Sequence, residues 1–370
     1  MRLLIMASAL VLALLVPVVS LGRAVATPGT DTAAAKAAEW ARGHGLGFAV
    51  TAAEEIAYRL NPPRIGGTPD PSLLTPATGG GVTGDHPTSG TEHGATTHVR
   101  SVLRTLVQPA LPGEGRFVTV VGSKRVPAVQ LAYLRPDDVH TSYLAAVLVM
   151  SRGAVRFVQH PGYAEPGQLP RWRQADSLTS SSQVGLAATF NGGFKLKDAR
   201  GGFYANGHTA GTLRSGAASM VITKDGKLNV GSWNHEVQMS SEVASVRQNL
   251  RLLIDHGTIV PNVQANTQAD WGATVKNADF VWRSGVGVDK YGNAINVVGP
   301  ALSAPSLASI LLRAGAVRAM ELDINKTWVS TMWYSTTGGQ PNPHKVLPFQ
   351  RPADRYFTPT SRDFVAAYVR

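Results

Sequence analysis

No cysteine occurs anywhere in the 370 residues. Disulfides, thiolate nucleophiles and cysteine metal sites are therefore excluded, while the redox compartment stays open. Charge is sparse as well: Asp, Glu, Lys and Arg make up 16% of the chain, with no block of Lys or Arg. Aromatic residues do not interleave with cations as single-stranded nucleic acid requires, which argues against nucleic acid as a partner. A GxSxG elbow, an HExxH helix, a P-loop, a GxGxxG fingerprint and an EF-hand loop are all missing. The familiar serine hydrolases, zincins, nucleotide switches and dinucleotide enzymes are excluded with them. What remains is carboxylates, amides, an arginine in an apolar strand and glycine loops, a chemistry suited to sugars and phosphate esters.

The scattered charge nevertheless sums to +11 with a pI near 10.0, favouring anionic partners such as phosphate-bearing polymers or acidic glycans. At the N-terminus, Leu3 to Gly22 is uncharged and apolar and follows Arg2. Two readings stand: an uncleaved membrane anchor, or a signal peptide cut after Ala24-Val25-Ala26. Either implies an exported body, anchored at the extracellular face or secreted.

Residues 27–60 read as two short helices forming a stalk. Ala37, Trp40 and Ala41 share one face of the first, and Val50, Ala53, Ile56, Ala57 and Leu60 share one face of the second. Packing is expected for both stripes, since a cationic face for an interfacial anchor is lacking. Residues 61–100 are a Pro/Gly/Thr linker. His86, His93 and His98 within it have neither helical spacing nor a recurring carboxylate, and read as solvated.

Residues 101–370 form the domain, with its motifs between 185 and 335. Strands are expected at 117–121, 129–134, 145–149 and 154–159, with Ser151-Arg152-Gly153 turning the last two into a hairpin. Trp172, flanked by Arg171 and Arg173, suits either an acidic sugar or a loop held by a packed ring. Residues 185–190 are a buried strand running into Asn191-Gly192-Gly193-Phe194, where adjacent glycines permit a sharp turn and close approach of backbone amides to a ligand. Asn206 and His208 lie in a second glycine-rich loop. A hairpin is expected around Thr223 to Lys227 and a helix over 240–249 with Val243, Val246 and Leu250 inward; Asp255 then ends a strand.

The densest unit spans 281–334. Two β-branched runs flank Asp289-Lys290-Tyr291-Gly292-Asn293, a hairpin turn. Ser303 can cap a helix whose Leu307, Ile310, Leu311 and Ala314 fall at i, i+3, i+4 and i+7 before Gly315. A strand over 317–324 then delivers Asp323 to a sheet rim. An aromatic strand follows at 328–334, the stretch 338–352 reads as loop, and 364–369 as a closing strand or short helix. Together these predict an α+β fold of mixed, largely antiparallel sheets with packed helices, including a strand-helix-strand unit at residues 293–324.

Taken in order, Asn191-Gly192-Gly193-Phe194, Asp255-His256-Gly257, Trp282-Arg283-Ser284-Gly285-Val286-Gly287 and Leu322-Asp323 resemble the phosphodiester glycosidase family. This is the family of the lysosomal enzyme that removes N-acetylglucosamine from a phosphodiester to uncover mannose 6-phosphate. The resemblance implies hydrolysis of a sugar-1-phosphodiester. Asp323, Asp255 and Glu321 would be the catalytic carboxylates, Arg283 would hold the phosphate, and Asn191, Gly192, Gly193, Asn206 and His208 would contact the substrate.

The sequence departs from that family at two steps. Lys195 stands where NGGFF has its second aromatic, and Ile324-Asn325 stand where LDGG has its glycines, with Ser330-Thr331 in place of the later serines. A catalytically inactive binder of phosphate-containing envelope polysaccharide is therefore the alternative, and a scaffold without a pocket a third reading. Oxygen ligands are plentiful enough for a divalent ion such as Ca²⁺, but no loop has recognisable ligand spacing.

Overall fold

The computed structural model describes residues 16–74, 100–123, 125–167, 172–265, 267–272, 274 and 278–370. Two helices, α1 (Ala33–Gly43) and α2 (Gly47–Leu60), precede the sheets. Along the chain, β1 (Val118–Gly122), β2 (Pro127–Leu134) and β3 (Ala145–Met150) begin one sheet, and β4 (Val155–His160) and β5 (Leu186–Asn191) begin a second. After the one-turn α3 (Leu196–Ala199) come β6 (Phe203–Ala205), β7 (His208–Ala210), β8 (Ala218–Thr223), β9 (Leu228–Ser232) and β10 (Val243–Gln248), which form a third. The chain returns to the first sheet with β11 (Leu252–Asp255), β12 (Thr258–Ile259), α4 (Gln268–Trp271), β13 (Val281–Asp289), β14 (Ala294–Leu302), α5 (Ala304–Arg313) and β15 (Ala316–Glu321). It completes the second with β16 (Thr331–Thr337), β17 (Gln340–Lys345) and β18 (Phe364–Val369).

The first sheet runs β1-β2-β3-β14-β13-β15-β11-β12, the second β17-β16-β5-β18-β4 and the third β7-β6-β10-β8-β9. Every ladder between these strands is antiparallel. The strand-helix-strand unit forms as expected. Ser303 and Ser306 make a reciprocal capping box, and Leu307, Ile310 and Leu311 are fully buried. β14 and β15 flank β13, so the helix carries the chain over its own hairpin. The first sheet is a central layer. Leu134, Val147, Val149, Ile295 and Val297 pack on α5, while Leu131, Leu148 and Met150 pack with Phe190, Met220 and Val365 of the other two sheets.

Four expectations are corrected. Residues 240–249 are not a helix but contain β10, paired with β6 and β8. β3 and β4 make no hairpin: the turn at 151–154 hands the chain from the first sheet to the second, where β4 pairs with β18. The stretch 338–352 is not all loop, since β17 pairs with β16 as an edge strand. The stripe of α2 does not pack, for Ala53, Ile56, Ala57 and Leu60 are exposed.

No helix among the described residues is long and apolar enough to cross a membrane. Residues 1–15 of the expected anchor or signal, and His86, His93 and His98, lie outside the described residues. Trp172 is a packed ring, edge-on to Phe203 with its Nε1 donating to the Gly167 carbonyl at 2.9 Å.

Candidate active site

The ends of three strands, one from each sheet, meet around Asp323. β5 ends in Asn191, β10 ends beside Arg247, and β15 runs out to Asp323, while Asp363 immediately precedes β18. Ser284 of β13 joins them. Its hydroxyl accepts from the Asn191 amide at 3.0 Å and from the Asp323 backbone N–H at 3.1 Å. Asn191 also accepts from the Ser330 N–H at 3.1 Å, so this asparagine ties the NGG turn, β13 and the Ser330 segment together.

The Asp323 carboxyl accepts from the N–H groups of Ile324 (2.8 Å) and Asn325 (2.9 Å) on one oxygen and faces Arg362 at 3.4 Å on the other. Burial pushes its pKa up to about 6, against the pull of the Arg362 guanidinium, the two amides and Arg247. The result is a carboxylate more basic than usual, held by rigid backbone at a sheet rim.

Behind the glycines sits an ion pair that the sequence did not reveal. Arg247 Nε donates to Asp363 Oδ2 at 2.8 Å, its Nη1 to the Gln248 carbonyl at 2.7 Å and its Nη2 to the Phe194 carbonyl. Both side chains are about 1% exposed. This pair accounts for both glycines. A Cβ on Gly192 would lie 2.1 Å from Asp363 Oδ2, and one on Gly193 would lie 3.3 Å from Arg247 Cζ. The Gly192 N–H donates to the Asp363 carbonyl at 2.9 Å and does not point to open space. Gly192→Ala should therefore lower stability by about 1–3 kcal/mol through overpacking. A thermal melt unchanged by this substitution would mean that Asp363 can move aside.

The other candidate residues are dispersed. Arg283 and Ser284 point to opposite faces of β13, as strand neighbours do. Arg283 is 1% exposed, with its guanidinium on Glu321 Oε1 (2.6 Å) and on the carbonyls of Leu302, Trp271 and Asp279. Burial raises the Glu321 pKa, opposed by Arg283. Asp255 lies beside Val317 and Arg318 at the start of β15, with the Gly257 N–H on the Val317 carbonyl. Asp323 is five or more residues along that strand, roughly 16 Å at the usual rise. That span exceeds the reach of a glycosidase carboxylate pair, whose separations run to about 9.5 Å. Asp255 instead forms a cluster with Glu236 and His256 whose ligand atoms lie within 4.8 Å of one another. Asn206 takes the φ 47° position of the β6–β7 turn and donates to Gln174 at 2.9 Å, with His208 just beyond it.

The N-terminal arm closes over the site. Glu39 of α1 pairs with Lys195, next to the NGG turn, and approaches Arg362 at 3.6 Å. Asp31 pairs with Arg351 at 2.9 Å and accepts from Ser361 at 2.5 Å. Arg351 and Arg362 both lie over the Trp328 ring. Asp323 and Arg362 are buried beneath this arm at 4% and 7% exposure.

A basic, buried carboxylate thus lies beside cations and an Asn-Gly-Gly turn at the meeting of three antiparallel sheets. Residues 185–346 match the family model described as Phosphodiester glycosidase. Similar solved structures include the zebrafish N-acetylglucosamine-1-phosphodiester alpha-N-acetylglucosaminidase catalytic domain auto-inhibited by pro-peptide. It is 16% identical, with 67% of this chain and 86% of that one covered and a TM-score of 0.41. A hypothetical protein from Synechocystis is 12% identical over 69% of this chain and 64% of that one, with a TM-score of 0.38. A putative exported protein from Burkholderia pseudomallei is 13% identical over 61% and 74%, with a TM-score of 0.28. No curated protein matches the chain.

Proposed function

We propose that the domain hydrolyses the glycosidic bond of a sugar-1-phosphodiester, with Asp323 as the reacting carboxylate. The observation that carries this is the Asp323 pKa of about 6 at a rigid sheet rim facing Arg362. The leaving group of such a reaction is a phosphomonoester, already stable as an anion, so an acid is needed less than a base or nucleophile. A carboxylate titrating near 6 is the better base of its kind at neutral pH. Arg362 and Lys195 would take the phosphate oxygens, a role expected of Arg283 from the sequence but better suited to cations on the Asp323 side of β13.

Glu39 now occupies both of those cations. Substrate phosphate must displace it, so Glu39→Gln should lower KM several-fold with little change in kcat; an unchanged KM would remove Lys195 and Arg362 from the phosphate site. The reading includes export, by the apolar run at residues 3–22, with the protein either anchored or secreted. The test is release of sugar by the full chain from a panel of chromogenic sugar-1-phosphodiesters.

The alternative, a binder of phosphate-containing polysaccharide, rests on Ile324. Its side chain packs with Phe194 and Leu250, filling space that the family's glycine would leave bare. Absence of release together with retained binding of phosphopolymer would establish that reading instead.

A further inference from the structure

The pentapeptide Arg247-Gln248-Asn249-Leu250-Arg251 serves two places at once. Arg247 faces Asp363, and Asn249 donates to the carbonyls of Glu321 (2.7 Å) and Leu322 (2.9 Å), bracing the strand that carries Asp323. Leu250 and Arg251 turn the other way and line a surface cavity of about 420 Å³ together with Arg200, Arg214, Ala217 and Asp270. Leu250 packs with Phe194 and Ile324, which separate this cavity from Asp323.

The cavity's charge is unbalanced. Arg251 Nε pairs with Asp270 at 2.6 Å, and Arg200 donates to the Ala269 carbonyl at 2.7 Å. The Arg214 guanidinium makes no ion pair among the described residues. Three guanidinium groups thus face one carboxylate. Arg214 is also held in place: its backbone N–H and carbonyl are clamped by the buried Gln248 side chain at 2.8 and 3.0 Å. The forked donors of guanidinium groups match a tetrahedral oxyanion. The volume falls within the range of small-ligand sites.

We propose that this cavity is a second binding site, distinct from the Asp323 site, for a phosphate or phosphomonoester anion held through its phosphoryl group by Arg200, Arg214 and Arg251. It goes beyond the hydrolytic reading and stands whether or not Asp323 turns over a substrate. Calorimetric titration of the full chain, carrying Asp323→Asn to prevent turnover, with glucose 1-phosphate, inorganic phosphate and glucose tests it. Glucose 1-phosphate and inorganic phosphate should both bind, with affinity falling as salt is raised, and glucose should not.

Arg214→Gln and Arg251→Gln should each weaken glucose 1-phosphate by about tenfold, as expected for loss of a charge-assisted hydrogen bond. The exposed Lys227→Gln, equal in charge change, should leave binding unaltered. Binding of glucose as tight as that of glucose 1-phosphate would overturn the phosphoryl assignment. Binding of glucose 1-phosphate that survives the double variant Arg214→Gln/Arg251→Gln would overturn the site itself. Arg214 contributes only backbone bonds to the fold, so its substitution does not put folding at stake.

Discussion

Asp363→Ala should cost the domain about 3–5 kcal/mol, the usual penalty for stranding one member of a buried ion pair. Arg247 would be left fully buried with only the Gln248 and Phe194 carbonyls, and Gln159 would lose its acceptor at 3.1 Å. Since domains as a rule are stable by only about 5–15 kcal/mol, this single change would bring the protein close to unfolding. The paired replacement Arg247→Met with Asp363→Leu should recover much of the loss, because no charge is then stranded. Urea denaturation of the three forms measures this. A loss below about 1 kcal/mol in the single variant would mean that water reaches Arg247 and that the pair does not organise the NGG turn.

Asp323→Asn should reduce turnover by about 10²–10⁴-fold if the carboxylate acts as base. In the unsubstituted protein kcat/KM should rise with pH along a limb whose apparent pKa lies near 6, because the ionised form reacts. The same group leaves a signature in stability that needs no substrate. Its folded pKa of about 6 lies above the ordinary value of 3.8, so between these values the native state holds a proton that the unfolded chain has released. The stabilisation is complete below about pH 4 and is lost as pH climbs through 6. At about 1.4 kcal/mol for each pH unit separating the two values, the difference is on the order of 3 kcal/mol. Subtracting the stability-against-pH curve of the Asn variant from that of the parent isolates it. A flat difference curve would mean that Asp323 is solvated and titrates ordinarily.

Legibility of the fold followed the range of the interactions. The 289–293 turn and the α5 cap are set by neighbours in sequence: Asp289 accepts from Tyr291 and Asn293, Gly292 takes φ 82°, and Ser303 and Ser306 satisfy one another. β10 misled for a physical reason. A register shift between Val243 and Ser245 breaks the alternation, so Val243, Val246 and Leu250 mimic a helical repeat, and the remaining residues are buried on both faces. β17 was hidden by Pro341 and Pro343, which an edge strand tolerates.

In the site, Asp323 and Asn191 could be found because each closes a recognisable strand. Arg247 was concealed by the helical reading of its segment. Arg362 and Asp363 had no signal beyond preceding the last described strand: Asp363 acts through Arg247 and Gly192, each more than a hundred residues away, and Arg362 through Asp323, 39 residues away. Arg283 and Glu321 drew attention as polar residues in apolar strands, but what they satisfy is chiefly each other.

β18 follows every other described strand in the chain, yet it is an interior strand, held between β4 and β5. The ribosome therefore makes the middle of this sheet after its flanks. Until Phe364 to Val369 emerge, β4 and β5 present unpaired backbone edges, and Asp363, the partner of Arg247, does not yet exist. The site is thus assembled only after all the other described strands have been synthesised.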